Sequence, residues 1–198
     1  EVDNLNYGYT KMIEAVRRVK TCRQVTYKAV NTKQVGELKL EKTDEDNTNV
    51  KLSGVEFAIK SSYNNNQYIK IKSGGTWQTK VTGDVTVDDT DNVNSSPTLQ
   101  YTTDISKATK FVTDSKGNIS VKNLLKSSNG TDTITYTFVE TYNPNYGYTK
   151  FASETTGDFT KIKVITNKKQ VGELNIEKVE EANESVKLSN VEFVIKSS

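Results

Sequence analysis

The 198-residue sequence contains no histidine and only one cysteine, Cys22. A lone cysteine cannot form a disulfide within the chain and supplies no cysteine-based metal site. The lack of histidine excludes Ser-His-Asp and Cys-His nucleophile systems and most zinc chemistry. We therefore expect neither an enzyme with turnover nor a cofactor or metal ion.

Hydrophobic residues are also scarce, at 33% of the chain, and no apolar run approaches the length of a membrane-spanning helix. The 27 basic and 25 acidic residues are interspersed, which argues against nucleic acid or a membrane surface as a partner. A lean apolar content suits thin β-sandwiches, whose sheets keep one face in water.

The chain repeats itself, which is the most informative feature of the sequence. Gln34–Lys42 recurs as Gln170–Lys178, 136 residues later (172 − 36 for the shared glycine). At the same offset, Val50–Ser62 recurs as Val186–Ser198, with asparagine in place of one glycine. Two copies of the same pair of segments indicate tandem modules.

A second repeated motif marks the other end of the unit. Asn6–Lys11 recurs as Asn145–Lys150, at an offset of 139 residues (145 − 6). We therefore divide the chain into three parts. Residues 1–33 are the C-terminal strands of a preceding repeat, residues 34–168 are a complete repeat, and residues 169–198 are the N-terminal strands of a following repeat.

Strand patterns dominate the complete repeat. Alternating or β-rich runs predict strands at 38–42, 55–59, 68–71, 81–87, 133–140 and 160–166. Residues 111–121 resemble a hairpin in which Gly117 supplies a positive φ. Only Lys11–Gln24 has a helix-like pattern. The sequence therefore predicts an all-β fold.

A lysine and a glutamate stand at positions where apolar residues are expected. Lys42 continues the face of Leu38 and Leu40, so strand alternation points its ammonium group toward the core. Lys178 is the equivalent residue in the third part. Glu140 likewise follows the apolar face of 134–138. The alternative is that each residue lies at a strand end and reaches water.

Two asparagines complete the set. Asn31 extends an apolar face of the residues before it. Its counterpart Asn167 follows Ile165, although Lys161 and Lys163 share that parity and make its burial less clear. An inward asparagine can also be a simple hydrogen-bonded core amide.

An inward amine, carboxyl and amide together form a reaction set. Burial drives an amine toward its neutral, nucleophilic form. A buried carboxylic acid can keep its proton and donate it. The amine can then attack the amide carbon and expel ammonia while the acid moves protons. The product is a Lys–Asn isopeptide bond.

At this point the sequence resembles a known family. Residues 40–44 and 52–57 look like the first two strands of Cna B-type (SpaA-like) pilin and adhesin domains. Residues 111–117 resemble the central Thr-Asp-x-x-Gly hairpin of that family. Residues 136–148, with Glu140, Pro144, Gly147 and Tyr148, resemble its Glu-Thr…Pro…Gly-Tyr signature.

The resemblance implies a prealbumin-like, Ig-like β-sandwich. It implies a bond between Lys42 and Asn167, with Glu140 as the assisting acid. Family members are pilins and adhesins of the Gram-positive cell wall, so it also implies an extracellular, cell-surface location. Two departures stand out: residues 63–110 are long enough to contain an insertion, and no LPxTG sorting signal is present.

The same assignment extends to the neighbouring repeats. Glu1 corresponds to Glu140, Asn31 to Asn167, and Lys178 to Lys42. We expect the chain to be an excerpt of a longer array. The alternative is a fibre subunit that joins Lys178 of one chain to Asn31 of the next.

Two functions compete at the level of the sequence. The first is a structural module of a stalk, pilus or fibre, whose partners are neighbouring repeats. The second is an adhesin for host matrix or glycan, with Trp77 beside Gly74 and Gly75 as the best exposed aromatic. Aspartates at 44 and 46 and at 88, 89 and 91 lack the spacing of a calcium loop and suit solvated turns.

Overall fold

A computed structural model describes residues 17–21, 24–28, 31–63, 65–88, 99–128, 131–150 and 154–196. These residues form β-strands, turns and a single 3₁₀ turn at Ile105–Lys107. None of their helices is long and apolar enough to cross a membrane.

The strands of the described residues are numbered in chain order. They are β1 Arg17–Thr21, β2 Gln24–Lys28, β3 Val35–Asp44, β4 Glu56–Ser61, β5 Tyr68–Ser73, β6 Thr76–Trp77, β7 Lys80–Thr82, β8 Asp84–Thr86, β9 Leu99–Thr102, β10 Lys110–Val112, β11 Asn118–Leu125, β12 Tyr136–Tyr142, β13 Thr155–Thr156, β14 Lys163–Asn167, β15 Val179–Glu180 and β16 Asn183–Lys187.

Two sheets make up the main body. The larger has eight strands, in the order β13-β12-β4-β10-β7, with β5 beside β4 and with β6 and β9 attached to β5. The smaller has four strands, in the order β14-β3-β11-β8. All twelve strands lie within residues 35–167. Strands β5 to β9 come from 63–110, where the sequence predicts an insertion.

The core lies between these sheets because strand alternation turns one apolar face of each sheet inward. The smaller sheet contributes Leu38, Leu40, Ile119, Val121 and Ile165, and the larger sheet contributes Phe57, Ile59, Phe111, Tyr136 and Phe138, all buried in one cluster. The prediction of an all-β sandwich is confirmed.

One predicted strand is divided. The sequence predicts a continuous strand over 81–87, but Gly83 interrupts it with a φ of +66°. Strand β7 before the glycine pairs with β10 in the larger sheet, and β8 after it pairs with β11 in the smaller sheet. A residue with a positive φ lets the chain cross from one sheet to the other.

The predicted hairpin at 111–121 is wrong in its pairing. The turn exists: the Asp114 N–H donates to the Asn118 carbonyl at 3.0 Å, and Gly117 has a φ of +74°. However, β10 pairs with β4 and β7, whereas β11 pairs with β3 and β8. The two arms therefore enter opposite sheets.

The helix-like reading of Lys11–Gln24 is also wrong where the structure describes it. Residues 17–21 and 24–28 form the antiparallel pair β1 and β2, with Thr21 opposite Gln24. The β-branched residues of this segment favour strands over helices. The rest of 11–24 lies outside the described residues.

The described residues of 169–198 repeat the local backbone structure seen at the start of residues 34–168, but they lack the buried side chains found there. Val179 pairs with Lys187 as Thr43 pairs with Lys51, 136 residues earlier. Asn190 has a φ of +60°, close to the +73° of Gly54 at the equivalent position. Asparagine tolerates this left-handed conformation, which explains the exchange. The apolar residues of this part are exposed.

Candidate functional site

Lys42 lies near the end of β3 and points into the sandwich, with 0% of its surface exposed. Its N–H donates to the Gly117 carbonyl at 2.8 Å. Gly117 lies so close that a Cβ atom there would be 2.5 Å from the Lys42 carbonyl oxygen. The turn before β11 therefore fixes the backbone that carries the lysine.

Glu140 reaches the same place from the opposite sheet. It lies on β12, opposite Phe57 of β4, and is 2% exposed. The register between β12 and β4 shifts directly after it, between Glu140 and Tyr142. Bulges of this kind commonly re-aim a side chain beside a functional site.

Asn167 is the last residue of β14 and is 2% exposed. Strand β14 runs parallel to β3, with Ile165 opposite Lys42 and Asn167 opposite Asp44. Residues two positions apart on a strand share a face. Asn167 and Lys42 are therefore diagonal neighbours on the buried face of one sheet.

The glutamate carboxylate joins the other two side chains. Its Oε2 lies 3.3 Å from Lys42 Nζ. Its Oε1 accepts a hydrogen bond of 3.0 Å from Asn167 Nδ2. The predicted amine, acid and amide thus meet in one buried cluster. The alternative of strand-end residues that reach water is wrong for Lys42 and Glu140, whereas Asn167 is also the hydrogen-bonded core amide that the sequence allows.

Burial also changes the chemistry of the amine. Loss of hydration lowers the pKa of Lys42 from its ordinary value, and the charge and hydrogen bond of Glu140 oppose this shift only in part. A lowered pKa enriches the neutral amine, which carries the lone pair needed for nucleophilic attack. The cluster therefore brings together an amine of lowered pKa, a carboxyl group and an amide.

Sequence reasoning missed one component of the site. Asn167 Nδ2 also donates to the backbone carbonyl of Thr149, in the segment between β12 and β13. The Tyr148 side chain of the same segment hydrogen-bonds the Asp44 carboxylate. A backbone carbonyl has no residue signature. The sequence pointed to this segment only through the recurrence of Asn145–Lys150 and the resemblance of Gly147 and Tyr148 to the family signature.

Of the residues predicted for the neighbouring repeats, Lys178 is exposed, which contradicts the prediction that it points toward a core. Within the described residues no strand pairs with 170–178, so nothing buries that face. Asn31 is half-buried, and Glu1 lies outside the described residues.

Two of the aspartates considered as metal ligands, Asp44 and Asp88, cap turns. Asp44 Oδ1 accepts from the N–H groups of Asp46 and Asn47 at 2.8 and 2.7 Å. The Asp88 carboxylate accepts from the N–H groups of Gly74 and Gly75. The other aspartates of that run, at 89 and 91, lie outside the described residues.

Comparison with known proteins finds no matching family model and no matching curated protein. Solved structures do match. A mutant of the shaft pilin SpaA from Lactobacillus rhamnosus GG aligns with a TM-score of 0.54 and 25% identity, over 73% of this chain and 51% of that chain. The C-terminal domain of the same pilin aligns with a TM-score of 0.52 and 23% identity, over 70% of this chain and 100% of that domain.

The pilus 2b backbone protein of group B streptococcus aligns with a TM-score of 0.50 and 17% identity, over 76% of this chain and 47% of that chain. The chain thus spans about half the length of the full pilins that it matches. The structural likeness agrees with the motifs around Lys42 and Glu140, and the chain has the fold of a SpaA-like pilin domain.

Proposed function

We propose that the central repeat is a structural module of a cell-surface stalk, pilus or fibre, stabilised by an autocatalytic bond between Lys42 and Asn167. One observation carries the proposal: the carboxyl group of Glu140 touches both the amine and the amide nitrogen inside a closed core. Burying charged and polar groups costs free energy even when they pair with one another. A function explains why the chain buries these three groups, because they are the reactants and the acid of a single reaction.

The reaction balances without any added reagent. The neutral Lys42 Nζ attacks Cγ of Asn167 and forms a C–N bond. The proton leaving Nζ passes to Oε2 of Glu140, and the carboxyl group supplies a proton from Oε1 to Nδ2. The Cγ–Nδ2 bond then breaks, ammonia departs and Glu140 is regenerated. Each chain reacts once, so the protein is not an enzyme with turnover.

The position of the bond suits a mechanical role. Lys42 lies in the first strand of the repeat and Asn167 in the last, and the two strands are adjacent and parallel. A pull on the two ends of the repeat would load the covalent bond directly and spare the hydrogen bonds of the sheets. Reductants do not cleave an amide, which suits a secreted protein whose stability does not depend on disulfides.

The proposed setting is the surface of a Gram-positive bacterium, because the matching structures are a Lactobacillus shaft pilin and a streptococcal pilus backbone protein. The partners are neighbouring repeats of the same kind. Tandem copies of the same segments within one chain support that assignment.

Intact mass tests the proposal. The purified chain should weigh about 17 Da less than its sequence requires, the mass of the ammonia expelled on amide formation. Glu140→Ala should fold but retain the full mass, because no acid serves the leaving nitrogen. A folded wild-type chain with its full sequence mass would contradict the bond, and a cross-linked Glu140→Ala chain would contradict the role of the acid.

The bond should form without helper enzymes, because burial alone activates the lysine. Protein made in an unrelated cytoplasm should therefore carry it. Under denaturing conditions the wild type should migrate faster on a gel than Lys42→Ala, since a cross-linked chain is more compact. Equal mobility would count against the cross-link.

Adhesion is the second candidate, and an exposed aromatic residue favours it: Tyr146 is 98% exposed. Trp77, which the sequence suggests as the best exposed aromatic, is half-buried instead. Lys70 Nζ and Lys72 Nζ lie 5.8 and 5.3 Å from its ring centroid. A pull-down of matrix proteins and glycans with the wild type and a Trp77→Ala/Tyr146→Ala variant tests this function. Retention that is lost in the variant would support it.

A further inference from the structure

The short segment from Asn145 to Thr149, here called the clamp loop, packs against the reacting amide. The Thr149 carbonyl accepts a hydrogen bond from Asn167 Nδ2. The backbone N–H and the hydroxyl of Thr149 both donate to the Lys168 carbonyl, at 3.1 and 3.2 Å. The residue is thus tied to both Asn167 and the residue that follows it.

The rest of the clamp loop is tied to the body of the repeat. The Tyr148 side chain hydrogen-bonds the carboxylate of Asp44, which lies opposite Asn167 on β3. Tyr148 also forms a β-bridge with Lys169. The Asn145 side chain donates to the Ser53 carbonyl at 3.0 Å. These contacts hold the Thr149 carbonyl in one place relative to β3 and β14.

The two groups that accept hydrogen bonds from Asn167 Nδ2, the Thr149 carbonyl and the Glu140 carboxylate, decide which way the amide faces. A backbone carbonyl can only accept a hydrogen bond, so the atom of Asn167 that faces it has to be the nitrogen. The opposite orientation would place Oδ1 against the Thr149 oxygen. The observed orientation directs Nδ2 to Glu140 as well, while Oδ1 accepts no hydrogen bond from the described residues.

We propose that the clamp loop positions the leaving group of the cross-linking reaction, with the Thr149 carbonyl selecting the amide orientation and the Tyr148–Asp44 contact holding that carbonyl in place. This inference rests on the proposed Lys42–Asn167 bond. The nitrogen that has to depart as ammonia is thereby held against the carboxyl group that protonates it. Tyr148 and Asp44 are positioning residues, because neither touches the reacting atoms.

The test measures the rate of cross-linking in newly made full-length chain. Each variant is synthesised in a cell-free system, quenched in denaturant at timed intervals and separated on a denaturing gel. Tyr148→Phe removes one hydroxyl and keeps the ring that packs against the core. It should slow cross-linking about five- to tenfold, the factor that corresponds to one lost hydrogen bond.

Matched variants separate positioning from folding. Tyr146→Phe removes a hydroxyl from the same loop, but that side chain is in water and the rate should not change. Asp44→Asn keeps an oxygen that can accept from Tyr148 and should retain most of the rate, whereas Asp44→Ala should lose it. Limited proteolysis of parallel samples taken without denaturant gives the folded fraction. The slowing should persist when the cross-linking rate is divided by that fraction.

The outcomes are distinguishable. A Tyr148→Phe rate equal to that of the wild type would overturn the clamp and leave the bond intact. Slowing that disappears after correction for the folded fraction would also overturn it, since the tyrosine would then be structural only. A wild-type chain that never cross-links would overturn the proposed function itself, and the clamp with it.

Discussion

Replacing Glu140 with glutamine is the sharpest single perturbation of the site. Glutamine keeps the size of the side chain but cannot pass a proton to the leaving nitrogen, so Glu140→Gln should fold without its bond. In the wild type the proposed bond would close a loop between residues 125 positions apart (167 − 42). By analogy with a disulfide, such a closure stabilises the folded state by about 5 kcal/mol.

A competing effect has a similar size. In an unreacted wild-type chain, Lys42 and Glu140 would be a buried ion pair. Removing one partner of such a pair costs about 3–5 kcal/mol with no bond involved. Glu140→Gln could therefore lose stability through the missing bond or through the broken ion pair. A melting temperature lowered by about 10–20 °C does not distinguish these two causes.

The unfolded state separates the two explanations. A covalent loop keeps the denatured chain compact, so the wild type should expose less surface on unfolding and show a smaller denaturant m-value than Glu140→Gln. An ion pair has no such effect, because it is absent from the denatured chain. Equilibrium unfolding in guanidinium chloride gives the m-values, and small-angle scattering of the denatured chains gives their size.

Equal m-values and equal denatured dimensions, with a stability difference of about 3–5 kcal/mol, would refute the reasoning and leave only the ion pair. Lys42→Met provides the matched control. It removes the nucleophile and keeps an unbranched apolar chain in the core. Its m-value should match that of Glu140→Gln.

Three further outcomes are expected. Asn167→Ala keeps Lys42 unreacted, and its free energy of unfolding should rise with pH between the lowered folded pKa of Lys42 and the ordinary value of 10.5. The reason is that in this range only the unfolded chain binds the proton. Denaturation measured as a function of pH should show this dependence in the variant and not in the wild type. Gly117→Ala should destabilise the repeat by at least about 1–3 kcal/mol in urea denaturation, since its φ is positive and the new Cβ would meet the Lys42 carbonyl. The purified chain should run as a monomer on a denaturing gel, whereas a ladder abolished by Lys178→Ala would favour joining to Asn31 of another chain.

Period-two alternation indicated where Lys42 and Glu140 point but left a strand-end position in water as the alternative, and the family resemblance favoured burial. Both continue apolar faces of strands that are buried on one side, and the structure buries both. Asn167 was less clear because Lys161 and Lys163 share its parity. The structure removes this conflict for Lys161 only, because β14 begins at Lys163. Lys163 itself is the first, half-buried residue of the strand.

Features that depend on distant partners could not be predicted in the same way. The turn at 114–118 depends on its own residues and can be predicted locally. The sheets that β10 and β11 join depend on their distant partners β3, β4, β7 and β8. Lys178 shows the same limit. It has the pattern of Lys42, but burial requires neighbouring strands, and no described strand covers it.

The parallel pairing of β3 with β14 also determines how far such a repeat can stretch. With the proposed bond formed, residues 43–166 carry no load, because tension passes from Lys42 to Asn167 directly. Unravelling those 124 residues (166 − 43 + 1) would otherwise release about 400–450 Å of chain. An array of bonded repeats would therefore keep its length under tension, and any damping of a sudden pull would have to come from the linkers or from the points of attachment.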